Sequence, residues 1–261
     1  MHYSRRIIFG FFMALAAGTC VAQQPLPNSP EVGLQEHLGQ MVPLDVELYN
    51  DSGQVVMLKD VITKPTIVTF VYFRCPGICT PLLNELSKMV EKMDLELGKD
   101  YQILTLSFDH TETPDLAADK RDNYLSSIKR PVNPAGWRFY TGDSLNIHRF
   151  TSAAGFFFKR DGKDWIHPAT LTFLSPEGKV TRYIYGIQYL PFDIKMAVIE
   201  ASDGRVGPTI AKVLNFCYSY DPESHGYALN VTRISLVLIL IFAGVFAFVF
   251  IIRPKKRPVE R

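Results

Sequence analysis

Cys75-Pro76-Gly77-Ile78-Cys79 places two thiols four positions apart. Thiolate sulfur exchanges disulfides and binds soft metals. The CxxxC spacing is one residue longer than the CxxC of thiol–disulfide oxidoreductases. A third candidate is His167, in Asp164-Trp165-Ile166-His167-Pro168. Two thiolates and one imidazole make a donor set of two sulfurs and one nitrogen; the sulfur selects Cu(I), and the imidazole also admits Cu(II). Zinc in a closed structural site takes four ligands, and three are evident. The same cysteines could instead close a disulfide, because their turn can bring the Cα atoms within the roughly 4.4–6.8 Å that a bridge requires. Taken singly, a CxxxC is often an ordinary disulfide and a histidine before a strand often a surface residue. Their placement around one buried strand joins them.

The elements that position these groups follow from the apolar pattern. Residues 66–73 form a continuous β-branched and aromatic run, as expected of a strand covered on both faces. Leu82, Leu83, Leu86, Met89, Val90 and Met93 then recur at helical spacing. Thr80 and Pro81 suit the N-cap and first helical position, which puts both cysteines in the turn before the helix. That helix N-terminus is expected to lower both thiol pKa values. Residues 102–108 read as a second buried strand, and Thr113-Pro114 opens a helix carrying Leu116, Tyr124, Leu125 and Ile128. A short strand at 137–140, a helix at 144–154, a hairpin of 170–174 and 180–185 around Ser175-Pro176-Glu177-Gly178-Lys179, and a helix at 193–201 complete the series. An earlier hairpin is signalled by Asn50-Asp51-Ser52-Gly53. The order predicts an α/β fold, a thioredoxin-like central sheet with an N-terminal extension and a hairpin insertion. In such a sheet the segment entering strand 170–174 lies beside the cysteine turn, and Pro168 keeps His167 extended there.

The ends of the chain predict its location. Arg5 and Arg6 precede an apolar stretch at 7–17 and small residues at 20–22, the pattern of a secretory signal at 1–22. Ala17-Gly18-Thr19-Cys20 loosely resembles a lipoprotein box, which would lipidate Cys20. Residues 23–34 read as a flexible leader, 35–208 as the exported domain and 209–233 as a juxtamembrane segment. Residues 234–252 carry no charge and would span about 28 Å as a helix, enough to cross a membrane. The basic tail at 253–261 then stays cytoplasmic by the positive-inside rule. The expected location is a bacterial-type inner (plasma) membrane, single-pass, with the main domain periplasmic or extracytoplasmic. Five basic residues and one acidic residue in the tail, with Arg5 and Arg6, turn the formal net charge of +2 into −4 for the remainder. The apparent basicity is therefore topogenic and gives no support to nucleic-acid binding.

Phe73-Arg74-Cys75-Pro76-Gly77-Ile78-Cys79, the strand before it, and Ile166-His167 followed by Leu171-Thr172-Phe173-Leu174-Ser175-Pro176-Glu177-Gly178 resemble the Sco/SenC family. Ser107-Phe108-Asp109 before Thr113-Pro114 is similar to the family's segment near the site. The resemblance covers roughly residues 35–200. It implies a membrane-tethered, thioredoxin-fold copper protein of cytochrome c oxidase assembly, with Cys75, Cys79 and His167 as copper ligands. The expected function is copper delivery to a respiratory oxidase copper-site subunit, with other copper chaperones or thiol reductants as further partners. The alternative is a thiol–disulfide reductase that keeps an oxidase copper site's cysteines reduced, with Cys75 and Cys79 as its redox pair. A peroxiredoxin is disfavoured, because the TxxC arrangement is absent around Cys75. The chain departs from the family pattern at Thr80, where proline usually follows the second cysteine, at His110, where proline is common, and in having its clear span at the C-terminus. Asp109 and His110 could approach the cysteine turn from a neighbouring strand end. Phe156-Phe157-Phe158 reads as core or as a contact surface. Cys217 and His225, between domain and membrane, could make a second copper-handling point, or Cys217 could be a plain buried or interfacial thiol or pair between molecules.

Overall fold

The structure, a computed structural model, describes residues 31–207, 218–221, 226–229, 235, 239 and 242–246. The expected signal segment, Cys20, Cys217, His225 and the basic tail lie outside the described residues. Of the expected span at 234–252, residues 235, 239 and 242–246 are helical and the rest lies outside. Among the described residues no helix is long and apolar enough to cross a membrane.

In chain order the elements are β1 (Gly33–Leu34), β2 (Glu47–Asn50), β3 (Val55–Met57), α1 (Leu58–Val61), β4 (Thr66–Val71), α2 (Cys79–Lys92), β5 (Gln102–Ser107) and α3 (Pro114–Ser126). There follow β6 (Trp137–Thr141), α4 (Ser144–Ala153), β7 (Phe156–Phe157), β8 (Lys159–Asp161), β9 (Asp164–Ile166), β10 (Thr170–Leu174), β11 (Val180–Tyr185) and α5 (Pro191–Ser202). Strands β12 (Tyr218–Asp221) and β13 (Gly226–Leu229) form a separate antiparallel pair.

Seven strands make the central sheet in the order β11-β10-β4-β5-β6-β2-β3. β4, β5 and β6 run parallel, and β10 and β2 flank them antiparallel. β4 is an interior strand, between β10 and β5, and every one of its residues is buried, which explains its lack of polar alternation. Helix α5 covers β10, β11 and β4, and α3 covers β6. Tyr124 of α3 stacks on both Trp137 and Phe139 of β6. Phe70, Phe108, Phe139, Phe150 and Phe173 fill the interior. Large buried rings of this kind supply most of the apolar burial that drives folding.

Several elements differ from the sequence reading. The strand expected over 66–73 ends at Val71, because the chain turns there with the Cys75 amide donating to the Tyr72 carbonyl at 3.2 Å. Helix α2 starts at Cys79 with Ile78 as its N-cap. Pro81 thus stands in the first turn, where no intrahelical acceptor awaits its missing N–H, and Cys79 belongs to the helix instead of the turn before it. Gly33 and Leu34, expected in the flexible leader, pair with Phe157 and Phe156. The β8–β9 hairpin was not anticipated, since its outer strand Lys159–Asp161 is wholly exposed. Its Asp161-Gly162 turn, with Gly162 at φ +60°, is a hairpin signal that the sequence does carry.

Candidate metal centre

The sheet order brings three distant segments to one edge. β4 ends at Val71 and its chain continues into the cysteine loop; β5, parallel to it, ends level with it, Val71 opposite Ser107. β10 runs the other way, with Leu171 opposite Thr69, so the residues entering β10 arrive where β4 stops. His167 is held there by the end of β9 and by Pro168.

Cys75, Cys79 and His167 therefore converge, with one ligand atom from each lying within 4.8 Å of the others. Cys79 Sγ is 3.7 Å from His167 Nε2. Three donors at about 2.2 Å from one ion in a plane stand roughly 3.8 Å apart, so the cluster fits a small soft cation. Among the described residues it is the one group of three or more metal-ligating side chains so arranged. Both cysteines are free thiols.

The donors are prepared differently. His167 Nδ1 lies 2.9 Å from the Pro168 carbonyl oxygen. A carbonyl only accepts, so Nδ1 carries the proton and the Nε2 lone pair faces Cys79. Burial holds the imidazole pKa below its usual value, which keeps it neutral and able to ligate. Its ring packs against Phe108 at 5.0 Å and meets Tyr72 edge-on at 5.8 Å.

The two thiols diverge, against the expectation that the helix N-terminus lowers both. Cys79 is 3 % exposed, and burial pushes its pKa well above the ordinary thiol value. Cys75 is half-buried. Burial works to raise its pKa too, but the amide and thiol of Cys79, the Gly77 amide at 3.4 Å and the Tyr72 hydroxyl outweigh this and bring it below the ordinary value. The site thus has one accessible, readily ionised thiol and one enclosed, protonated thiol. Pro76, Gly77 and Ile78 are exposed, so an incoming group meets the loop first.

The other flagged residues sort themselves by contact. Asp109 Oδ2 accepts from Trp165 Nε1 at 3.1 Å and Oδ1 from Thr111; it braces the site without joining the donor set. His110 is exposed. Phe156 is buried core with its ring 6.2 Å from the imidazole, and Phe158 stacks on Phe108, which itself packs on His167. Sequence reasoning overlooked Glu112 and Tyr72. The available signal for Glu112 was a carboxylate in the short loop between the buried strand β5 and Thr113-Pro114.

The chain is similar to known proteins to different degrees. Residues 37–198 match the SCO1/SenC family. The SCO1 protein homolog of Bacillus subtilis is 26 % identical over 167 residues, 59 % of this chain and 83 % of that protein. A crystal structure of a putative electron transfer protein from Aquifex aeolicus is 29 % identical and superposes with a TM-score of 0.58 over 64 % of this chain and 95 % of that one. BsSco, described as a member of the Sco family of cytochrome c oxidase assembly proteins, is 22 % identical, with a TM-score of 0.51 over 66 % of this chain and 98 % of its own. That last likeness is one of fold.

Proposed function

The chain belongs to the SCO1/SenC family, and from that premise we propose that it is a membrane-tethered copper metallochaperone delivering copper to a respiratory oxidase. The observation that carries the reading is the convergence of Cys75, Cys79 and His167 within 4.8 Å. Two sulfurs and one imidazole are a copper donor set, and a set of three leaves copper open to an entering ligand. The metal is cargo. The half-buried Cys75 is the ligand that an incoming partner thiolate displaces first, so copper moves by sulfur-for-sulfur exchange without release of free ion. The signal-like pattern expected from the sequence at 1–22 and the uncharged stretch at 234–252 support the reading of an exported domain held at the inner membrane, beside an oxidase copper-site subunit.

A redox companion role is favoured by the unequal thiols. An accessible thiol of lowered pKa next to an enclosed one of raised pKa is the layout of an attacking and a resolving cysteine. In that role Cys75 attacks a partner disulfide, Cys79 displaces the partner as a thiol, and the Cys75–Cys79 disulfide carries the two electrons' worth of oxidation. The role needs no imidazole, and this separates the two readings.

The test is a copper titration of the full chain and of His167→Ala. Wild type should take up one copper per chain. The variant should lose more than the roughly 10–100-fold that removal of a merely ligand-orienting group costs, with a changed visible spectrum. Unchanged affinity and spectrum would sink the three-ligand site and leave the redox role.

A further inference from the structure

Glu112 is 5 % exposed, yet no Lys or Arg pairs with it among the described residues. An isolated buried carboxylate is costly. Here three donors offset the cost. The Phe73 amide donates to Oε2 at 2.6 Å, the Ser107 hydroxyl donates to the same oxygen at 2.6 Å, and the Arg74 amide donates to Oε1 at 2.8 Å. Every contact is one in which Glu112 accepts, the role of an ionised carboxylate.

Those donors have a specific address. Phe73 and Arg74 lie past the end of β4, where the sheet ladder no longer uses their amides, and they lead directly into Cys75. Glu112 therefore fixes the backbone from which the cysteine loop hangs. Its own backbone is fixed in turn, the Glu112 amide donating to the Asp109 carbonyl at 3.0 Å. Asp109 then reaches the opposite half of the site, accepting from Trp165, which is two residues before His167. One short segment after β5 thus holds the cysteine loop at one end and the histidine hairpin at the other.

We propose that Glu112 and Asp109 are positioning residues that set the dithiol and the imidazole in register before any metal arrives. The inference deepens the copper reading, and its decisive arm works without copper. In the reduced, metal-free full chain, alkylation of Cys79 by iodoacetamide requires the loop to open, because that thiol is 3 % exposed. Glu112→Gln keeps the side chain's shape but turns one acceptor into a donor facing donors. It should speed Cys79 alkylation by roughly tenfold or more, the factor that loss of one charge-assisted hydrogen bond gives. Asp51→Asn, which breaks a buried ion pair elsewhere in the domain, serves as the control. It should lower the melting temperature without a comparable rise in Cys79 alkylation. If Glu112→Gln leaves alkylation within about twofold of wild type, or if the control accelerates it equally, the positioning role is overturned. Glu112→Asp, shorter by one methylene but still charged, gives a second reading should the Gln variant fail to fold. In a copper arm, Glu112→Gln and Asp109→Asn should each weaken copper binding by about tenfold although no ligand is removed. Failure of wild type to bind copper would refute the proposed function alone, since the alkylation result stands apart from it.

Discussion

Raising the pH from about 6 to about 8 should increase the affinity of the site for Cu(I) at least about 100-fold. A thiol sheds its proton to bind a metal. Burial keeps the Cys79 thiol pKa far above neutrality, so Cys79 is protonated across this whole interval in the metal-free protein. Every copper bound displaces that proton. One displaced proton raises the affinity tenfold per pH unit, about 1.4 kcal/mol, and two units give the stated increase. Cys75 adds less. Burial raises its pKa but its contacts with Cys79, Gly77 and Tyr72 bring it below the ordinary value, so it contributes a fraction of a proton that shrinks as the pH rises. His167 adds nothing above its ordinary pKa, because burial holds it lower still and neutral. The slope of log affinity against pH therefore lies between one and two at the acid end and falls towards one.

The assay is competition with a chromophoric Cu(I) chelator under reductant, corrected for the chelator's own protonation. Cys75→Ser and Cys79→Ser are measured alongside. Removing Cys79 should take away the constant component and drop the slope below one. A wild-type slope well below one would refute the reasoning, because it would mean that Cys79 already carries its thiolate in the metal-free protein and that burial does not control its ionisation.

Two further perturbations test the scaffold. Gly155 sits at φ +72°, and a Cβ there would lie 1.8 Å from the Gln35 carbonyl oxygen. Gly155→Ala should cost about 3 kcal/mol from left-handed strain and loss of the Gln35–Gly155 hydrogen bond. A melt should then fall by roughly 6–12 °C, and a drop under about 2 °C would contradict the collision. Asp51, whose side chain is wholly buried, accepts from Arg121 at 2.9 Å and from Arg138 Nε at 2.9 Å. Asp51→Asn should cost about 3 kcal/mol by leaving two half-covered guanidinium groups without their anion. An unchanged denaturant midpoint would show that these pairs contribute nothing.

The local features of this chain were legible without coordinates. The β-branched run of β4, the apolar stripe of α2, Thr113-Pro114 before α3 and the hairpin of β10 and β11 each rest on neighbours within a few positions. The spacing of Cys75 and Cys79 is equally local, and it announced soft-metal or disulfide chemistry. Thiol ionisation was misjudged, because proximity to a helix end is visible in sequence whereas the packing that encloses Cys79 is not. The helix start was misplaced for a related reason: proline is compatible with several positions of a first turn, and only the turn at Tyr72–Cys75 selects one. The β8–β9 hairpin escaped because its strands bury too little to leave a periodic pattern.

What the sequence by itself determined is the inventory: two thiols in one turn, an imidazole pinned before a strand, and the alternation of elements that makes a mixed sheet. What only the tertiary structure decided is which of these groups meet. Cys79 and His167 are 88 positions apart and Glu112 reaches an amide 39 positions away. Those contacts depend on β4 lying between β5 and β10, and on one neighbour running parallel while the other runs antiparallel. Strand order is a property of the whole buried core, since every strand competes for the same partners, so no local stretch of sequence encodes it.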